Sequence, residues 1–157
     1  MGIRADADRY LLAIALAAAV PCAHAAEAPS WEVVRDAGCA LRSAPQQVND
    51  GYQTVQARIE VDAGKVVVES PSDLDTSFSD IGLALPGHDF IRMDRVDGKK
   101  RAVFESRYAD LVKGFKAGRE VEARLRFWPE FPVTGVHGAR FSLMGFTKAY
   151  DEAKGCK

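Results

Sequence analysis

Strict alternation of apolar and polar residues marks two segments of this chain. In YQTVQARIEVD the apolar positions are Val55, Ala57, Ile59 and Val61, and Gln56, Arg58 and Glu60 fall between them. A period of two predicts a strand with one dry and one wet face. EVEARLRFW repeats the pattern, with Val121, Ala123, Leu125 and Phe127 on one face and Glu122, Arg124, Arg126 and Trp128 on the other. Between the two, the spacing turns helical. Tyr108, Leu111, Val112 and Phe115 fall at i, i+3, i+4 and i+7, with Ser106 as a candidate cap and Gly118 as a candidate stop.

Weaker signals fill in the rest. WEVV (31–34) predicts a first strand and CALRS its partner, while APQQVNDG (44–51), rich in turn formers, predicts a loop. The DAG turn at 62–64 returns the chain into KVVVES as the second arm of a hairpin, and the polar stretch at 71–80 is a connection. A strand is expected at 81–85, a Pro-Gly turn at 86–87, and a further strand from Phe90. VDGKK reads as a hairpin turn leading into RAVFES, since Asp-Gly supplies positive φ at little cost. PEFPVTGVHG is a Pro/Gly loop. RFSLMGFTKAY then begins as a strand, passes through Gly145, and becomes a short helix near Thr147–Ala153. Many short strands, turns every eight to twelve residues and no βαβ alternation predict a mainly β fold. The expected form is an antiparallel β-sandwich or barrel-like domain with one or two short α-helices.

The first residues change the domain count. Arg4 and Arg9 precede an apolar run from Leu11 to Val20, too short to span a bilayer as a helix, and Ala23-His24-Ala25 follows as an A-x-A cleavage pattern. Residues 1–25 are therefore expected to be a secretory signal peptide and 26–157 a single β-rich domain, periplasmic or secreted. A lipid anchor on Cys22 is disfavoured because Pro21 precedes it. Cleavage leaves two cysteines, Cys39 and Cys156. In an exported chain an even count reads as a disulfide, with two unpaired buried thiols as the alternative. With 21 Lys and Arg against 22 Asp and Glu, the formal net charge is −1, and no basic run exceeds Lys99-Lys100-Arg101. Neither nucleic acid nor an anionic membrane surface is expected as a partner, and no second apolar segment approaches spanning length.

Candidate chemistry is sparse. His88 and His137 sit in Gly-containing turns with no metal-ligand spacing around them, and read as exposed loop histidines. The serines lack a G-x-S-x-G or S-x-x-K context. SPSDLDTSFSD fails the spacing of a calcium loop. Asp94, Asp97 and Glu105 read as surface charges. No catalytic residue, cofactor or metal is assigned. WPEFP offers Trp128 and Phe131 as a binding lip, against a plainer reading in which Trp128 covers a sheet edge and the prolines block pairing.

The C-terminal half carries a resemblance. ESRYADLVKGFKAGREVEARLRFWP followed by ARFSLMGFTKAYDEA resembles the invasion-associated locus B family of exported bacterial proteins, most specifically at Ser142, Leu143, Gly145, Phe146 and Ala149. Trp31, Val33 and Cys39 resemble its N-terminal W-x-V…C, and IGLALPGHDFIRMDRVDGKK its central strand pair. The resemblance implies a non-enzymatic role at the cell envelope, in host-cell association or envelope stress, with an unidentified protein or small-ligand partner. A periplasmic module binding a peptide or small apolar ligand is the alternative, and a hydrolase a third class. Physically, RFSLMGFTKAY is expected to close the fold by laying Phe146, Ala149, Tyr150 and Ala153 onto the sheet.

Overall fold

The protein is described by a computed structural model, which covers residues 29–36, 38–128 and 135–156. The leader assigned to 1–25 lies outside the described residues. The elements run β1 (Trp31–Val34), β2 (Ala40–Ser43), β3 (Gln46–Asn49), β4 (Thr54–Asp62), β5 (Lys65–Glu69), β6 (Gly82–Ala84), β7 (Ile91–Arg92), β8 (Arg95–Asp97), β9 (Arg101–Phe104), α1 (Tyr108–Ala117), β10 (Glu120–Leu125), β11 (His137–Ser142) and α2 (Phe146–Lys154). Every pairing between these strands is antiparallel. They form two sheets. The larger has the order β1-β2-β4-β5-β9-β8, with β3 added to the first half of β4; the smaller has the order β11-β10-β6-β7. The arrangement is a two-sheet sandwich, not a closed barrel.

The alternation read from the sequence sets the faces. Val55, Ala57, Ile59 and Val61 of β4 are buried, as are Val121, Ala123 and Leu125 of β10, with Phe127 just beyond. Together with Leu83, Phe104, Ala139 and Phe141 they make one continuous apolar core between the sheets. At about 25 cal/mol per Å² of apolar area removed from water, this interior is the dominant favourable term in folding. β5 departs from simple alternation, because Val67 is buried along with Val66 and Val68. Val67 pairs with Val103 on the outward face, in a row with Glu60 and Arg95. Long arginine stems on such a face can cover apolar side chains while their charged heads stay wet.

Both helices close the same end of the sandwich. α1 buries Leu111, Val112 and Phe115, and α2 buries Phe146 and Ala149. Trp31, Phe115 and Phe146 meet there, with ring centroids 6.2 Å (Trp31–Phe115), 4.9 Å (Trp31–Phe146) and 5.2 Å (Phe115–Phe146) apart. The Trp31 indole N–H donates to the Ser142 carbonyl at 2.8 Å, which fastens the first strand to the end of the last. Gly145, at φ 85°, makes the change of direction into α2 in the left-handed region, where a side chain would be strained. The closing role expected of RFSLMGFTKAY is thus the observed one.

Three local readings are corrected. Residues 46–49, expected within a loop, form β3 against Thr54–Ala57; Val48, buried in the core, is the single apolar anchor of a strand too short to show a period. Ser106 does not cap α1. Arg107 stands at that position with no side-chain cap, and the Ser106 hydroxyl and amide both donate to Asp94. Asp94 therefore organises the turn before the helix as well as carrying surface charge. His137 opens β11 as a half-buried residue, its ring 5.8 Å from that of Phe127, whereas His88 is exposed in a turn as expected.

Candidate binding site

The cysteines lie at the helix-capped end. Cys39, in the β1–β2 turn, and Cys156, after α2, form a disulfide with Cα atoms 5.9 Å apart across 117 residues of sequence. Beside it a cleft of about 430 Å³ opens between helices and sheet. Its walls come from Leu41 on β2, Val61 and Asp62 at the end of β4, Tyr108 at the start of α1, and Tyr150 and Lys154 on α2, with the disulfide at one end. The volume is within the range of small-molecule sites, about 300–1,000 Å³. The mixture of apolar wall and a few polar tips is also typical of them.

The two tyrosines come from helical stripes that meet only in the folded chain. Their hydroxyls stand 3.4 Å apart. Burial first, and then the Tyr150 hydroxyl, pushes the Tyr108 hydroxyl up to about 12, so it stays protonated in any physiological medium. Two ammonium groups lie over the Tyr150 ring, Lys116 at 4.5 Å and Lys154 at 5.0 Å from its centroid. Lys116 also bonds Asp151 at 3.2 Å. Asp62 accepts from the Ala63 amide at 2.6 Å and has Lys65 at 3.7 Å. A second recess, about 500 Å³, lies between the 85–88 turn and the end of α1, lined by Leu85, Pro86, His88, Ala117 and Arg119 among others.

Trp128 is at the far end of the molecule. β4 spans the sandwich, so its two ends are about 25–30 Å apart at the rise of an extended strand. At the far end the loops are pinned by hydrogen bonds. Asp50, buried, accepts from the amides of Tyr52 (2.9 Å) and Gln53 (2.8 Å) and from the Ser72 hydroxyl (2.6 Å). Burial alone would raise its carboxyl, but those bonds outweigh it and hold it below the usual value. The Arg126 guanidinium grips Asp80 through two 2.6 Å bonds, which lowers that carboxyl, and lies 4.0 Å from the Phe78 ring centroid. The Trp128 amide donates to the Asp73 backbone carbonyl at 2.8 Å, yet its side chain is 62% exposed. Phe131, the other half of the expected lip, lies outside the described residues.

The remaining sequence candidates separate. Leu143, Phe146 and Ala149 are core residues, and Ser142 is engaged with Trp31 through its carbonyl. Asp94 accepts from Glu105 and Ser106, Asp97 stays on the surface, and Glu105 pairs with Arg95 at 2.9 Å. Among the described residues no three His, Cys, Asp or Glu side chains gather as a possible metal site. Nor is any described helix long and apolar enough to cross a membrane. The cleft residues carry no sequence motif. Their advance signals were the Cys39 and Cys156 pair, and Tyr108 and Tyr150 as members of apolar stripes.

No family model matches the chain, and no curated protein matches it. Among solved structures, the crystal structure of invasion associated protein B from Bartonella henselae aligns with a TM-score of 0.51 and 18% identity, over 80% of this chain and 90% of that one. The chain has an invasion associated protein B-like fold. At that identity the likeness to invasion associated protein B is one of architecture, and the sequence resemblance at 142–149 falls on the element that closes it.

Proposed function

We propose that this chain is an exported cell-envelope protein of the invasion-associated locus B type, which acts by binding and not by catalysis. The likeness of fold to invasion associated protein B carries the reading. The disulfide between Cys39 and Cys156 supports an oxidising compartment, since such bridges persist outside the cytosol. The role in this reading is host-cell association or resistance to envelope stress. Fractionation of the producing cells with intact-mass measurement is the test. The expected product is an envelope or secreted form beginning after Ala25, with both remaining thiols oxidised. A cytosolic protein retaining Met1 overturns export, and turnover of ester, phosphoester or glycoside substrates by the purified protein overturns the non-catalytic part.

The cleft favours a second reading, in which the protein is a binding module for a small apolar ligand. In that case the envelope role is carried out through what the cleft holds.

A further inference from the structure

The cleft beside the disulfide has a chemical polarity that narrows what it can hold. Ala63, Ala153 and the Tyr108 ring give it an apolar side, floored by Leu41 and Val61, which are already buried in the core. Two phenols stand within it. Of the two O–H groups facing each other at 3.4 Å, only one can donate across the pair. The other proton is left for a ligand acceptor, because among the described residues neither hydroxyl meets a further acceptor. The charged groups on the lining are unequal. Asp62 accepts from the Ala63 amide and pairs with Lys65, and what remains of its charge reaches the Tyr108 hydroxyl, the weakest of the influences that raise it. Lys154 has no carboxylate partner among the described residues; it lies over the Tyr150 ring, in the last turn of α2. The uncommitted groups are thus a hydroxyl donor and an ammonium, both positive toward a ligand, at the margin of an apolar wall.

We propose that this cleft binds a small amphipathic carboxylate, its hydrocarbon or aryl body against Ala63, Ala153 and the Tyr108 ring and its carboxylate between the tyrosine hydroxyls and Lys154. The proposal rests on the binding-module reading and names the ligand class for it. An anion placed there gains a charge-assisted hydrogen bond from Lys154 and a neutral one from a phenol. The burial of Tyr108, which keeps its hydroxyl protonated, preserves the donor. Cys39 and Cys156 line the same space, so an occupant also shields the disulfide from an attacking thiolate.

Calorimetric titration of the purified, oxidised protein with decanoate and with decanol separates the outcomes. Saturable one-to-one binding of decanoate is expected, weakened about tenfold by Lys154→Met, with decanol weaker and indifferent to that change. Tyr108→Phe combined with Tyr150→Phe, which removes both hydroxyl donors, is expected to weaken decanoate several-fold, and saturating decanoate to slow reduction of the disulfide by dithiothreitol. Both variants keep the apolar stem or ring, so far-UV circular dichroism should match the parent. Equal binding of the two probes, untouched by Lys154→Met, overturns the carboxylate while leaving an apolar binding module in place. Binding of neither probe up to millimolar concentration overturns both.

Discussion

The two ends of the sandwich are held by different forces. At the helix-capped end, Trp31, Phe115 and Phe146 bury their rings against one another and a disulfide ties the β1–β2 turn to the tail of α2. At the far end the loops are ordered by carboxylates, Asp50 gathering the 50–53 turn onto Ser72 and Asp80 gripping Arg126. The far end leaves Tyr52 64% and Trp128 62% exposed. Apolar burial and a covalent tie each contribute several kcal/mol, whereas a hydrogen bond to a carboxylate contributes about 1.5–3 kcal/mol, less where water reaches it. The helix-capped end is thus held covalently as well as by packing, whereas at the far end the loops are held by carboxylates above the buried Val48, Leu74 and Phe127.

Removing the tie should have the largest effect. Cys39→Ser with Cys156→Ser is expected to cost about 4–5 kcal/mol by the chain-entropy relation for a loop of this length. Chemical denaturation reads this directly. A loss below about 1 kcal/mol would mean that packing alone holds the tail. Phe146→Ala, at the centre of the ring cluster, is expected to cost about 3–5 kcal/mol in the same measurement. A cost comparable to a surface change would remove the contrast between the two ends.

At the far end the expected effects are smaller and depend on pH. Asp50→Ala leaves the part-buried Tyr52 and Gln53 amides and the Ser72 hydroxyl without their acceptor, at about 1–2 kcal/mol. The Asp50 and Asp80 carboxyls both sit below the ordinary value of 3.8. A depressed carboxyl contributes stability that is fully present above its unfolded value and is lost as pH falls through the folded one. The far-end contribution should thus be constant above about pH 5 and decline from about pH 4 downward. In an NMR titration the Tyr52 and Gln53 amide signals should move with a midpoint below 3.8, the ordinary carboxyl value; a midpoint above it would mean that burial, not hydrogen bonding, governs Asp50. Smallest of all, Trp128→Ala should change stability by less than about 0.5 kcal/mol. If it costs more, that side chain is covering the sheet edge and the lip reading fails.

How much of this was legible in advance follows the same division. β4, β10 and α1 announce themselves because each buries one face, and burial of one face forces a period on the sequence. α2 was readable from Phe146, Ala149, Tyr150 and Ala153, and its closing role from Gly145. β3 was not, because one anchor, Val48, carries no periodicity. Asp50 could not be told from an ordinary turn aspartate; its importance comes from Ser72, which only the fold brings to it. The cleft was hidden for the same reason. Tyr108 and Tyr150 are 42 residues apart, and each alone looks like a member of an apolar stripe.

The position of Cys156 also imposes an order in time. Its partner Cys39 lies 117 residues earlier, and all the remaining strands and both helices come between. A chain emerging from its N-terminus exposes Cys39 early, and that thiol must wait through the making of nearly every other element before its native partner exists. Any chain cut short before α2 ends cannot form the bridge, however well its sheets have assembled. The oxidised bond is thus a record that synthesis passed the closing helix, and a reducible mark by which a chain that carries this helix differs from one cut short before it.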